Sequence, residues 1–172
     1  MDYVTLDSPL GTILLSGDER ALTGLWFAGQ KYAPARPPET ALSPAVLEQT
    51  EDFLAAYWAG APLPPPPPLA PAGSPFRQAV WRLLREIPYG KTTTYGALAQ
   101  ALRSAGISAA PQAVGGAVGR NPISILIPCH RVVGSSGSLT GYAGGLGRKR
   151  YLLEREGVDL SRFTMPARGT AL

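Results

Sequence analysis

The sequence of 172 residues predicts an α+β protein: a small N-terminal antiparallel sheet with a helix, linked to a mainly helical C-terminal domain containing a helix-turn-helix. Three observations predict it. Short runs rich in β-branched and aromatic residues, broken by Gly and Pro, fill residues 3–27. A proline-rich run from Pro62 to Pro71 then divides the chain. Beyond it, Ser-Pro and Pro cap signals introduce helical patterns. The boundaries are an N-terminal support domain over 1–61, a linker over 62–73, extended at ~3 Å per residue, and a C-terminal domain over 74–172.

Tyr3-Val4-Thr5-Leu6, Thr12-Ile13-Leu14-Leu15 and Leu22-Thr23-Gly24-Leu25-Trp26-Phe27 read as strands of a meander, with turns at Ser8-Pro9-Leu10-Gly11 and Gly17-Asp18. Ser43 as N-cap and Pro44 at the first helical position open a helix whose Val46, Thr50, Phe53, Leu54 and Tyr57 share one face, and Gly60 ends it. That helix is expected to cover one face of the sheet. Ser74-Pro75 repeats the cap for a second helix, with Phe76, Val80, Leu83, Leu84 and Ile87 inward and Pro88 and Tyr89-Gly90 as its stop. Thr92-Thr93-Thr94 caps a short helix from Tyr95 to Leu102, and Pro111 opens another through Val118 or Gly119. Together these two frame a helix-turn-helix.

The second of the pair, Ala113-Val114-Gly115-Gly116-Ala117-Val118-Gly119, has little side-chain bulk, although each helical glycine costs ~1 kcal/mol relative to alanine. Either it packs tightly on its neighbours or its exposed face comes close to a ligand such as a narrow groove; periodicity leaves both open. Ile123 to Ile127 reads as a strand, and Gly134 to Gly145 as a loop able to wall a pocket. A last helix runs from Leu146 to about Arg155, with Tyr151 and Leu152 inward and Gly157 as its end. The tail from Ser161 is expected to fray.

Composition narrows the function classes. Hydrophobic residues make up 45% of the chain, yet no apolar run reaches the ~18 residues a membrane-spanning helix requires. Met1-Asp2-Tyr3-Val4 has neither a basic leader nor an apolar segment, so a cytoplasmic protein is expected. One cysteine allows no internal disulfide, and with one histidine it cannot fill a four-ligand zinc site without several carboxylates; neither metal nor other cofactor is expected. Net charge is +4, but residues 1–72 hold three basic side chains against eight acidic, whereas residues 73–172 hold thirteen against four. An arginine-rich C-terminal half suits a polyanion such as a phosphate backbone, or forms a solvated basic face.

The only cysteine and the only histidine are neighbours, Cys129 and His130, in Ile127-Pro128-Cys129-His130-Arg131-Val132. A lone cysteine is most often an inert small hydrophobe; adjacency to the only imidazole points instead to a chemical centre. A thiol with a free pKa of ~8.5 needs a partner to act as a nucleophile. Adjacent side chains need not point together, so His130 could reach the thiol through a water, with a carboxylate fixing its other ring nitrogen. Glu156 is the nearest downstream candidate, because Glu154 lies ~200° away around the helix.

Pro128-Cys129-His130-Arg131-Val132, preceded by Asn121-Pro122 and followed by Gly141-Tyr142-Ala143-Gly144-Gly145 and Leu152-Leu153-Glu154-Arg155-Glu156-Gly157, resembles the O6-alkylguanine-DNA alkyltransferases. The resemblance is strongest over residues 74–157, and Asp7-Ser8-Pro9-Leu10-Gly11 agrees with it near the N-terminus. It implies a direct repair protein, without cofactor, that binds double-stranded DNA through the minor groove and turns out an O6-alkylguanine, or an O4-alkylthymine. The alkyl group then moves to the protein's own cysteine, once per molecule. It also implies a monomer, able to bind cooperatively along DNA.

Under that resemblance Cys129 is the nucleophile, His130 its water-linked base and Glu156 the orienter. Tyr95 donates to the guanine N3, and Asn121 is the hinge tying the helix-turn-helix to the active-site loop. Tyr142, Ala143 and Gly144 wall the pocket, with the Ala143 amide near the guanine O6. The carbonyls of Cys129 and Val132 read the exocyclic amine, and Ser124 joins the substrate-binding set. Gln112, Ala113, Gly115, Ala117 and Arg120, with Thr93 and Thr94, contact DNA.

One position departs from the pattern: Gln112 stands where the family usually has an arginine that replaces the extruded base in the stack. Glutamine can bond the orphaned cytosine but stacks little and carries no charge, which implies slower repair of duplex DNA. Arg103, before the long 103–110 connection, is the alternative cation. Two other classes fit the residues less well. A module that binds alkylated guanine without removing it would lack the cysteine, as alkyltransferase-like proteins do, and a cysteine hydrolase usually has its Cys and His far apart in sequence.

Overall fold

The computed structural model describes residues 2–36 and 39–166. The chain divides into two compact units, residues 1–72 with 122–126, and residues 73–121 with 127–172.

In the first unit, β1 (Asp2–Leu6), β2 (Ile13–Gly17), β3 (Leu22–Phe27) and a short β4 (Glu39–Thr40) form an antiparallel sheet in the order β3-β2-β1-β4. Register sets Val4 opposite Leu15 and Ile13 opposite Phe27, so Ile13, Leu15, Leu25 and Phe27 are all buried. The sequence reading missed β4, whose two residues carry no periodic signal. The helix α1 (Pro44–Ala59) has the expected ends: the Ser43 hydroxyl accepts from the Val46 amide at 3.3 Å, and Gly60 closes it in the left-handed region at φ +66°. Val46, Thr50, Leu54 and Tyr57 are buried as the pattern required, while Phe53 is half-buried.

Strand β3 would be a bare edge, but two other segments pair with it. Leu22 donates to the Pro68 carbonyl and accepts from the Ala70 amide, both at 2.9 Å. The proline-rich run over 62–73, expected as a linker, is therefore attached through residue 70, and residues up to 72 fall in the first unit. Prolines lack a donor but keep their carbonyls, so Pro68 accepts and Ala70 supplies the amide. Farther along, the Leu25 amide donates to Pro122 O at 2.8 Å, and Ser124 N donates to Leu25 O at 2.9 Å. Residues 123–127 are thus not the strand their apolar run predicted. After one bridge at Ile123 they turn, with Ile125 at φ +71°, a conformation costly for a β-branched residue that ends any ladder.

In the second unit, α2 (Pro75–Arg85), α3 (Tyr95–Ser104) and α4 (Pro111–Gly119) pack on one another. Ser74 caps α2, and Val80, Leu84 and Ile87 are inward, joined by Trp81. Phe76 and Leu83 are only half-buried. The Trp81 indole, 2% exposed, donates to Ala117 O of α4 at 2.8 Å. Thr94 caps α3, its hydroxyl accepting from Ala97 N at 3.0 Å. Thr93–Thr94 also form a strand, β5, parallel to β6 (Val132–Val133).

The final helix is α5 (Leu146–Arg155). Its inward stripe is Lys149, Leu152 and Leu153, with Tyr151 only half-buried. A stripe that begins with a cation and leads to Glu156 misphases a reading based on apolar residues alone. The tail, expected to fray from Ser161, is bonded as far as Thr164, which exchanges 2.9 Å hydrogen bonds with Gly137 O and Leu139 N; residues 167–172 lie outside the described residues.

Replacing Trp81 by Phe removes the indole donor and leaves the Ala117 carbonyl only the 3.2 Å bond from the Arg120 amide. The expected loss is about 1–3 kcal/mol, read as a lower urea midpoint at unchanged slope; an unchanged midpoint would contradict the packing described.

Candidate active site

Two residues past α4, the Asn121 amide Nδ2 donates to Ile127 O at 2.7 Å and to the Cys129 Sγ at 3.2 Å. One side chain thus ties the end of the helix-turn-helix to the thiol. Cys129 to Arg131 form a single 3-10 turn, closed by Arg131 N on Pro128 O and by Val132 N on Cys129 O. The turn leads into β6, which β5 holds in register as Thr93 opposite Val132. Cys129 is 5% exposed and His130 is fully buried.

Adjacent on the turn, thiol and imidazole serve different partners. His130 Nε2 hydrogen-bonds Glu156 Oε2. The other Glu156 oxygen accepts from Arg131 Nε at 2.7 Å and from Gly90 N at 3.2 Å. Arg131 also donates to Ile87 O at 2.6 Å, and its guanidinium lies 5.7 Å from the centre of the Tyr89 ring. Glu154, set aside from the sequence, is exposed and pairs with Arg150 at 3.1 Å.

Burial would raise the Glu156 carboxyl, but the bonds and charges of His130 and Arg131 prevail and hold it at about 2. Burial lowers His130 below the ordinary imidazole value, against the pull of Glu156, so the ring is neutral at pH 7. With Nε2–H toward the carboxylate, Nδ1 carries the free lone pair, and this atom has no hydrogen-bond partner among the described residues. Burial pushes the Cys129 thiol up, opposed by the Asn121 bond and the charge of Lys149. A resting protonated thiol beside a neutral imidazole is an arrangement for nucleophilic attack with proton removal during the reaction.

The loop over 134–145 is tied to the start of α3. The Tyr95 hydroxyl, at the start of α3, donates to Thr140 O at 3.0 Å and Gly141 O at 3.1 Å. Burial and the nearby Cys129 raise its pKa, so it remains a donor. Tyr142 is buried, Ala143 half-buried, and Gly144 lies so close to the Tyr142 ring that an added Cβ would stand 2.6 Å from it. Ser124 falls in the first unit, where its hydroxyl lies 3.4 Å from Gln30 Oε1.

Helix α4 divides the residues expected to touch DNA. Gln112, Ala113 and Arg120 are exposed, whereas Gly115 and Ala117 are buried. The exposed glycine is Gly116, where an added Cβ would meet nothing within 4 Å. The packing reading therefore holds for the buried face of the helix. Thr93 and Thr94 are half-buried, engaged in β5 and in the α3 cap. Arg103 donates to Ala109 O at 2.8 Å, bracing the connection to α4. Sequence reasoning gave no role to Arg131 or Lys149; the signal available was a charged residue on an otherwise apolar stripe. Among the described residues no group of three His, Cys, Asp or Glu could hold a metal, and no helix is long and apolar enough to cross a membrane.

Comparison with known proteins follows the same division of the chain. A family model for the 6-O-methylguanine DNA methyltransferase DNA binding domain matches residues 75–158, and one for the ribonuclease-like domain of the same proteins matches residues 1–69. The methylated-DNA–protein-cysteine methyltransferase of Mycobacterium tuberculosis is 46% identical over 165 residues, covering 94% of this chain and 98% of that protein. The chain belongs to this family.

The enzyme of that name from Methanosarcina acetivorans is 43% identical over 157 residues, covering 91% of this chain and 99% of that protein. The crystal structure of Mycobacterium tuberculosis OGT in complex with DNA superposes with a TM-score of 0.78 at 42% identity, covering 96% of this chain and 95% of that one. The structure of O6-methylguanine-DNA methyltransferase from Pyrococcus kodakaraensis, 23% identical with a TM-score of 0.54 over 91% of this chain and 98% of that one, shares the fold.

In a family member whose thiol sits beside a buried ion cluster, acid should act through that cluster. A depressed carboxyl contributes stability above its unfolded value of 4.5 that is lost as pH falls toward about 2. His130, depressed from 6.5, acts in the same direction: below pH 6.5 the unfolded chain takes up a proton that the folded site resists. Stability should therefore fall as pH drops below 6.5 and more steeply below 4.5. Glu156→Gln should lose about 3–5 kcal/mol at pH 7 by stranding Arg131, and flatten the acid limb; an acid limb of undiminished steepness would contradict the assignment.

Proposed function

We propose that the chain repairs alkylated DNA by moving the alkyl group from the guanine O6 to its own Cys129, once per molecule. The observation that carries this is the Asn121–Cys129 and His130–Glu156 arrangement, a buried thiol held by an amide beside an imidazole whose acceptor nitrogen is unengaged. The Cys129 Sγ attacks the alkyl carbon as its proton passes, through a water, to His130 Nδ1. Glu156 stabilises the imidazolium that forms. The carbon–oxygen bond breaks with its electron pair moving to the guanine, which takes up a proton. The new carbon–sulfur bond is a thioether, stable to water, so no turnover follows.

A buried thiol cannot reach a base inside the duplex, so the nucleotide must leave the stack. The basic second half of the chain supplies phosphate attraction. The exposed strip of α4, Gln112, Ala113, Gly116 and Arg120, is low enough to enter a minor groove. The carbonyls of Cys129 and Val132 read the exocyclic amine, the Ala143 amide faces O6, and Tyr95 releases its loop carbonyls to donate to N3. The protein acts on duplex DNA as a monomer in the cytoplasm, O4-alkylthymine being a second substrate and cooperative loading along DNA part of the same reading.

Titrating a duplex carrying O6-methylguanine tests it: repaired lesions should rise to one per protein and stop, with none repaired by Cys129→Ala. Continued turnover, or tight binding without repair, would overturn the proposal. Gln112 supplies no stacking cation, so Gln112→Arg should raise the single-turnover rate on duplex DNA severalfold, toward about tenfold. Equal rates would remove Gln112 from base extrusion.

A further inference from the structure

Attachment of Pro68 and Ala70 to β3 accounts for the end of the proline-rich run but not for its middle. Each of residues 63–67 precedes a proline and each of residues 64–68 is one, so φ is fixed and the α-helical region is closed along the stretch. With every peptide bond trans, the backbone is a polyproline II helix of three residues per turn, about 20 Å long. Both ends are held: Ala61 N donates to Ala56 O of α1 at 3.0 Å, and Pro68 O accepts from Leu22 N at 2.9 Å.

Burial along the run follows the same period of three. Pro67 is buried and Pro64 half-buried, so one ridge lies on the protein. Pro62, Pro65 and Pro68 form a second ridge and Leu63 and Pro66 a third; all five are exposed, Leu63 by 38%. Two apolar ridges therefore face solvent side by side. The carbonyls from Pro62 to Pro67 accept no hydrogen bond among the described residues, and no charged residue lies between Asp52 and Arg77. A stiff connection requires prolines; it requires no exposed leucine.

We propose that residues 62–68 are a docking ligand as well as a connection, their two outer ridges fitting a protein partner whose groove is lined by aromatic side chains. Flat rings pack between proline ridges, and their N–H and O–H groups bond the free carbonyls. Leu63 is the side chain that sets direction and register, which a run of identical prolines cannot do. The uncharged flanks match a groove that reads apolar ridges alone, without acidic groups to select a neighbouring arginine or lysine. Because both ends are already held, docking avoids the ordering cost that a flexible segment pays. None of these residues belongs to the alkyl-transfer site, so the proposal stands apart from the Cys129 reading.

The test uses an isotopically labelled EVH1 domain as probe, a module that reads proline-rich segments in an aromatic-lined groove. It is titrated by NMR with the full chain and with a free peptide spanning residues 60–71. The full chain should shift the resonances of the aromatic groove and bind at least as tightly as the peptide. Leu63→Ala, and Pro65→Ala combined with Pro66→Ala, should each weaken binding at least about tenfold in chains that urea titration shows to be folded. Should the double variant not fold, displacement of the natural chain from the groove by the free peptide decides. No groove shifts with the full chain, shifts indifferent to these substitutions, or failure of the peptide to displace it would overturn the proposal. So would sedimentation as a dimer that Leu63→Ala dissolves, because the face would then belong to a second copy.

Discussion

The Glu156 carboxylate is the constraint on which the rest of the second unit depends. It sits at the C-terminal end of α5 and accepts from His130, from Arg131 and from the Gly90 amide, so two other stretches of chain, the Cys129 turn and the Gly90 turn, converge on it. Removing any donor leaves buried charge behind, which is why the cluster behaves as a unit. The bond to His130 fixes the imidazole tautomer, and the bond to Arg131 fixes the turn that carries Cys129. Fold and reactivity therefore share a single ion cluster.

Helix α4 shows a second economy. Its buried side uses Gly115, Ala117 and Gly119 to let α2 and α3 approach, and the Ala117 carbonyl accepts the Trp81 indole. Its outer side presents Gln112, Ala113, Gly116 and Arg120. Small residues serve packing on the inner face, and Ala113 and Gly116 add little bulk to the outer one. The glycine cost is offset by tertiary packing, as helix propensity routinely is.

Much of this was legible in the sequence where the physics is local. Ser43-Pro44 and Ser74-Pro75 mark helix starts because the caps act within one turn, and Gly60 marks an end because its left-handed conformation suits glycine. The adjacency of Cys129 and His130 located the centre, and helical geometry selected Glu156 over Glu154. What was illegible depends on distant partners. Residues 123–127 carry a strand composition, yet the left-handed Ile125 turns them after one bridge to Leu25. The two-residue strands β4, β5 and β6 are defined only by pairing. Lys149 and Arg131 are charged residues that composition assigns to the surface, and only satisfied donors explain their burial. Gly115 and Gly116 are indistinguishable until the packing of α2 and α3 chooses which faces inward.

The central claim is that Cys129 itself keeps the alkyl group. Its most direct test is the mass of the intact protein and of its Cys129 peptide after incubation with a duplex carrying O6-methylguanine. The account predicts one added methyl group, confined to that peptide and persisting after the DNA is removed. An unchanged protein mass, whether the lesion stays bound or is lost as free methanol, would contradict it.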